Sequence, residues 1–504
     1  MNRLHEPRPA CPGRCQYDTE TTLLAQAKLP EVIVDKRKVG ILTFSDGRDF
    51  AHKLQYDMNK QFQDRLVHAL EATGEIEPVP CELVWTVELA RSEGRKLRDA
   101  GVECTILNYA IWAFPHFTSI ATEFAPGPFL LFSNINPQYP GLVAMLAAAG
   151  SLNQIGVYHA RISGDIEDSK TFERVMQFVR GASAVSRLKG ETYGVIGGRS
   201  MGMYTATVDP AQWRREFGID IEHIDQGEIV RLSAEVPQGK VTRAREWLEK
   251  MAGEVRYDGE ALTQEKLERQ IRSYYAVRQL IDEWDLDFVG IKGQPEMTNN
   301  FATMDITEAF LNDPYDWDGP HEPIVCATEA DSDAALTMEI FKHIARTPVL
   351  FADVRHYDQE YDFWDLVNSG QHATYFAGKS FKPEDNMPHV KLLPETFYFP
   401  AGGASVFHIA QPGEVTLARL TRKDGKYWMA ILPAEFLALP PDIAQRKAEA
   451  TSDAWPHAFA RLKVSPDTFI DTYSSNHIHG VYGNYVEDLI WACKILGIEY
   501  KVYA

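Results

Sequence analysis

Short apolar runs recur along this chain, each followed by a helical stretch, and this alternation constrains the fold more than any other feature of the sequence. "KVGILTF" (38–44), "ECTILNY" (103–109), "PFLLFSNI" (128–135) and "IGVYH" (155–159) read as buried strands. Residues 50–73 and "GLVAMLAAAG" (141–150) read as helices between them. Strands apolar on both faces and separated by helices pack as a parallel sheet covered on both sides. After a helix at about 168–188 the pattern restarts. "TYGVIGG" (192–198), "DFVGIKGQ" (287–294), "PIVCATE" (323–329) and "PVLFADV" (348–354) are the strands, and 240–252, 263–284 and 332–345 the helices.

Beyond about residue 356 the texture changes. "VKLLPETFYF", "GEVTLARLTR", "GKYWMAILPAEFL" and "HAFARLKV" read as antiparallel strands, and "RKDGK" (422–426) as a hairpin turn centred on Asp-Gly. A helix, "YVEDLIWACKILG", and a last strand, "IEYKVY", close the chain. The predicted fold class is α/β: two Rossmann-like α/β domains followed by a mainly β C-terminal domain. The predicted boundaries are an extension at 1–37, a first domain at 38–167, a second at 168–355 and a third at 356–504. No internal repeat or low-complexity segment appears.

At 504 residues the chain exceeds one ordinary core. No run of about eighteen apolar residues predicts a membrane span. The first thirty residues hold no apolar stretch of signal-peptide type, which points to the cytoplasm. A formal net charge of -20 argues against nucleic-acid binding, which needs clustered Lys and Arg. It suits a soluble enzyme taking small or neutral substrates. Six cysteines in this length are no disulfide framework. Cys11 and Cys15 in "CPGRC" are spaced like half a metal site, but no second half follows.

Open α/β sheets form their sites at the carboxyl ends of strands. Glu329 follows "PIVCAT" and Asp353 follows "PVLFA". If those strands are parallel neighbours joined by the helix at 332–345, both acids emerge on one rim. Asp331 and Ser332 read as caps of that helix. Two carboxylates and an imidazole make a ligand set for a cation such as Mn²⁺. "SSNHIHGVYG" (474–483) reads as a loop able to present His477 or His479, or as a hydrogen-bonded loop with no ligand role. "GGRSMG" (197–202) is a glycine-rich anion cradle of low specificity. "FSDGR" (44–48) puts Arg48 at a strand tip, and Trp112 in "AIWAFPH" is either core or a platform for a sugar face.

These stretches, in this order, resemble the L-fucose/L-arabinose isomerase superfamily, and L-fucose isomerase most closely. The resemblance is carried by "AIWAFPH", "GGRSMGMYTATVD", "GIKGQPE…TEAFLND", "CATEADSDAALTM", "FADVR" and "NHIHGVYGNYVEDLIWACKILGI", across about residues 38 to 500. It implies aldose–ketose isomerisation through a cis-enediol, with Glu329 and Asp353 as catalytic carboxylates. It also implies that both hold Mn²⁺ together with His477, with Mg²⁺ or Co²⁺ as other fitting ions. Asn476, His479, Gln294, Ser200 and Met201 are implied near the sugar, and Trp112 as an aromatic supplied by a neighbouring subunit of a hexamer. The chain departs from the enterobacterial enzymes in its shorter C-terminal part and in "IHGVYG" after His477. Arg199 stands where they carry an apolar residue. That Arg either pairs with an acid or favours an anionic substrate, and sulfoquinovose isomerases share the superfamily. Two other readings remain open at this point: a non-catalytic sugar-binding module, and a metal-dependent lyase on a sugar phosphate, for which no cationic cluster appears.

Overall fold

A computed structural model of the chain describes residues 35–369, 371–396 and 398–504. Cys11 and Cys15 lie outside the described residues. The first five strands are β1 Arg37–Thr43, β2 Ile76–Pro80, β3 Cys104–Tyr109, β4 Phe129–Ser133 and β5 His159–Ser163. They form one parallel sheet in the order β2-β1-β3-β4-β5. Leu42, Leu107 and Leu131 pack on one face with Ala144 and Ala148. Ile41, Ile106 and Leu130 pack on the other with Val175 and Val179. Helices on both faces explain why these strands read as unbroken apolar runs. β2, "IEPVP", carries two prolines and sits at the sheet edge, where a missing N–H costs no ladder bond. Of "IGVYH" only His159 enters the sheet, because the preceding helix runs to Gln154 and Gly156 turns the chain at φ +75°.

A second parallel sheet contains β6 Thr192–Ile196, β7 Asp220–Ile224, β8 Phe288–Ile291 and β9 Cys326–Thr328, in the order β9-β8-β6-β7. The third sheet is antiparallel apart from one pairing. Its strands are β10 Leu350–Asp358, β11 Phe363–Val367, β12 Gly413–Lys423, β13 Lys426–Phe436, β14 His457–Leu462, β15 His477–Tyr482 and β16 Glu499–Val502. The order is β12-β15-β10-β11-β14-β13-β16, and β12 also pairs with β13. That extra pairing closes six strands into a ring, which removes exposed edges. Leu350, Ala352, Leu366, Leu417, Leu432, Ala458 and Ile478 fill one face of it. Asp424 and Gly425 both take positive φ in the β12–β13 turn, as the Asp-Gly signal predicts. Among the described residues of "VKLLPETFYF" only Lys391–Pro394 is strand.

One expectation is corrected. The strand leading to Asp353 is not a parallel neighbour of the strand leading to Glu329. β9 ends the second sheet, whereas β10 pairs antiparallel with β11 and β15 in the third. The helix between them, Ser332–Ala345, is buried along almost its whole length. It packs with Tyr193 and Phe288 of the second sheet and with Phe351, Ala418 and Leu420 of the third. A helix buried on all sides separates layers, so it crosses from one sheet to the other instead of returning to its own. Among the described residues no helix is long and apolar enough to cross a membrane.

Candidate active site

Glu329 leaves β9 with φ +59°, and Ala330 follows at +50°. Non-glycine residues rarely hold this left-handed backbone, and each such residue costs on the order of 1–3 kcal/mol. Here the turn is pinned by Ala330 N–H donating to Ile291 O at 2.9 Å and Asp331 N–H to Thr328 O at 3.1 Å. The turn swings the Glu329 carboxylate toward the third sheet. There His477 opens β15 and lies opposite Asp353 in register, so their side chains share a face. "SSNHIHGVYG" is therefore a strand from His477 onward, not a loop.

His477 Nε2 lies 3.2 Å from Glu329 Oε2 and 3.4 Å from Asp353 Oδ1. Its Nδ1 is 2.6 Å from Asp331 Oδ2. Asp331 also accepts Arg419 Nη2 at 2.8 Å on Oδ2, and its Oδ1 caps the helix by accepting Ala334 N–H at 3.1 Å. Burial alone would raise the Asp331 carboxyl. Arg419, and then His477, outweigh it and hold the group far below the usual carboxylate range. Burial alone would lower His477, but the Asp331 and Glu329 carboxylates outweigh it and raise the imidazole to about 9. Asp331 therefore holds the proton on Nδ1, and a cation at Nε2 would take the place of the proton that faces the two remaining acids. Burial, partly offset by His477, pushes the Asp353 carboxyl up. Asn476 Nδ2 donates to Asp353 Oδ1 at 3.1 Å, and Asn368 Nδ2 to Oδ2 at 3.2 Å. Gln294 Nε2 reaches Glu329 Oε1 at 3.4 Å, and the Gln294 carbonyl accepts Ser200 Oγ at 3.1 Å.

The chain thus brings Glu329, Asp353, His477, Asn476, Gln294 and Ser200 together. His479 does not line this group. It points the same way as His477, as alternate strand residues must, but one step further under the buried helix. Its Nε2 is 3.1 Å from Arg419 Nη1 and its ring packs on Phe351. Arg48 is exposed and paired with Asp46 at the end of β1, and Trp112 is half-buried against the apolar cluster of the first sheet. Met201 is exposed at φ +43°. Arg199 lies 5.5 Å over the exposed Tyr204 ring and has no carboxylate partner among the described residues. Three residues were not foreseen as part of the site. Asp331 had been read only as a cap. Arg419 left a signal, a charge in the apolar strand "VTLARL", which demands a buried partner. Asn368 left none.

A second carboxylate–imidazole group lies at the other end of the same helix. Donor atoms of Glu191, Glu339 and His343 all fall within 4.8 Å of one another. Lys342 Nζ, however, is already 2.5 Å from Glu339 Oε1.

Three family models match the chain in order. They are the first N-terminal domain of L-fucose isomerase over residues 36–190, the second over 283–346, and the C-terminal domain over 366–504. L-fucose isomerase of Escherichia coli (strain K12 / DH10B) is 24% identical, with 95% of each chain covered. L-fucose isomerase of Vibrio vulnificus (strain YJ016) is 26% identical over 72% of this chain and 74% of its own. L-fucose isomerase of Haemophilus influenzae (strain PittEE) is 25% identical over 71% and 73%. Fold and relatives define an aldose–ketose isomerase, an intramolecular oxidoreductase. The chain belongs to the L-fucose isomerase family.

Proposed function

We propose that the enzyme interconverts an open-chain aldose of the L-fucose/D-arabinose kind and its ketose with a divalent cation, Mn²⁺ by preference, at Glu329, Asp353 and His477. One observation carries this reading: His477 Nε2 faces two carboxylates while Asp331 fixes its Nδ1. The donor set fits such an ion. Nε2 is buried with no hydrogen-bond partner among the described residues, and one imidazole with two carboxylates suits Mn²⁺, with Mg²⁺ or Co²⁺ as alternatives. When bound, the cation supplies positive charge where negative charge develops on O1 and O2.

The chain's own residues do the proton work. Isomerisation moves a proton between C1 and C2. Glu329 and Asp353 flank that bond, one taking the proton and the other serving the opposite oxygen side of the enediol. The raised Asp353 carboxyl suits a group that must hold a proton transiently. Asn476 and Asn368 fix both of its oxygens, and Gln294 steadies Glu329. We place Trp112 as a lid contributed by a neighbouring copy in a hexamer, with Arg48, Ser200 and Met201 on the rim. Arg199, on which a sulfonated aldose such as sulfoquinovose would depend, stacks on exposed Tyr204, so the neutral sugar leads. The test is an aldose screen after EDTA treatment, with and without Mn²⁺. Activity restored by the ion, with deuterium from D₂O entering C2 of re-formed aldose, is expected. Full activity in the stripped enzyme, or turnover without any solvent exchange, would overturn the mechanism.

A further inference from the structure

The face of the third sheet that carries His477 and Asp353 has two apolar clusters with a polar seam between them. On one side Phe351, Ala418, Leu420 and Val481 pack under the helices Ser332–Ala345 and Val486–Leu496. On the other, Phe363, Val367 and Phe459 pack with Phe407 and Trp455. Register sets His477, Asp353, Val367 and His457 side by side across β15, β10, β11 and β14. Laterally paired residues project to one face, so His457 lies two strand spacings, about 10 Å, from Asp353 on the triad's own face. His457 is fixed there by Asp365 at 2.9 Å on Nδ1 and by the Ser452 carbonyl at 2.9 Å on Nε2.

Beside it stand two more histidines. The His372 and His408 ring centroids are 5.9 Å apart, and each residue is 1% exposed. The His408 carbonyl accepts His457 N–H at 2.9 Å. His372 follows Gln371, whose Nε2 donates at 3.3 Å to Asn368 Oδ1, the same Asn368 that holds Asp353. Neither ring nitrogen of His372 has a hydrogen-bond partner among the described residues, and the His408 ring has only a weak contact with the Val406 carbonyl. Buried polar groups are nearly always paired, and an unpaired set calls for a partner from elsewhere. Burial holds both imidazoles below the ordinary His range, so each offers one N–H and one lone pair. That matches a hydroxyl, which both gives and accepts. A methyl group does neither, and an oxyanion has no proton for the lone pairs.

We propose that His372 and His408 form the specificity subsite for the far end of the sugar, receiving a hydroxyl on its terminal carbon while C1 and C2 sit at Glu329, Asp353 and His477. This rests on the isomerase site above and narrows the L-fucose/D-arabinose kind to its D-arabinose side, aldoses with a terminal hydroxyl, over anionic ones and over 6-deoxy ones such as L-fucose. The test compares wild type with His372→Phe, His408→Phe and His408→Gln, the last keeping a donor and an acceptor. kcat and KM of the Mn²⁺-loaded enzyme are measured for a hexose, its 6-deoxy and its 6-sulfo counterparts. Calorimetry gives the affinity of a hexitol and its 6-deoxy form, open-chain analogues that cannot isomerise.

Wild type is expected to favour the hydroxyl-bearing sugar by at least about tenfold in kcat/KM. Either Phe variant should bring that ratio near one by raising KM for the hydroxyl-bearing sugar, and His408→Gln should recover part of it. A wild-type preference for the 6-deoxy or 6-sulfo sugar, or an equal fall of kcat on all three in the Phe variants, overturns the proposal. If wild type isomerises none of them with any cation, the isomerase assignment of the triad fails instead, and the two hexitol affinities still decide the subsite.

Discussion

One helix, Ser332–Ala345, has a buried carboxylate–imidazole cluster at each end, and the two behave as opposites. At its C-terminal end His343 Nε2 sits 2.7 Å from Glu191 and 3.2 Å from Glu339, and Lys342 Nζ lies 2.5 Å from Glu339. By mutual distance this is the tighter donor group, yet it brings its own cations, and Lys342 and His343 suit the negative end of the helix dipole. At the N-terminal end the one buried guanidinium, Arg419, is held by Asp331. Glu329 and Asp353 have amides as hydrogen-bond partners and face His477 Nε2. They also stand on a left-handed turn at Glu329 and on an Asp353 side chain still 26% exposed. Proximity of acids and a histidine therefore does not separate the two groups; the proposed metal site is the one whose acids have no Lys or Arg ion pair among the described residues and keep access to solvent.

The sharpest way to break that contrast is to remove one charge from each cluster. On the proposed mechanism Glu329→Gln and Asp353→Asn each take away a ligand and a base, so kcat should fall by at least about 10³-fold. Glu191→Gln should leave kcat within about twofold, because nothing there meets substrate. Steady-state kinetics on the three purified variants is the check, and equal losses at both ends would erase the distinction. Next in size, Glu339→Gln leaves Lys342 buried without its partner and should cost about 3 kcal/mol of stability in urea unfolding while sparing activity. Asp331→Asn keeps a capping oxygen but frees His477 to choose its tautomer. Mn²⁺ affinity by calorimetry should drop about 10–100-fold.

The smallest effect is on pH. Burial alone would lower His343, but the Glu191 and Glu339 carboxylates outweigh it and raise it above 6.5. A raised folded value means this contribution is complete below 6.5 and is lost as pH climbs through the folded value. The wild-type melting temperature should therefore fall more steeply from neutral to alkaline pH than that of His343→Gln.

How far the sequence could be read follows from the same physics. Buried parallel strands announce themselves as apolar runs, which is why β1, β3, β4, β6, β8 and β9 were legible. Edge strand β2 was hidden by its prolines. Glu329, Asp353 and His477 were readable one at a time as candidates, from strand ends and family likeness. Their meeting point was not, because it depends on a buried helix that delivers β10 to a different sheet from β9. Asp331 shows the same limit: its cap is local and readable, whereas its bonds to His477 and Arg419 span 146 and 88 residues. For His479 strand alternation gives the direction of the side chain but not the Arg419 beside it, through which it neighbours Asp331.

Anomalous diffraction at the manganese edge from crystals of the Mn²⁺-loaded enzyme tests the central claim most directly. The account predicts one strong peak within about 2.5 Å of oxygens of Glu329 and Asp353 and of His477 Nε2. A peak among Glu191, Glu339 and His343 instead, or no peak beside His477 in an active crystal, would contradict it.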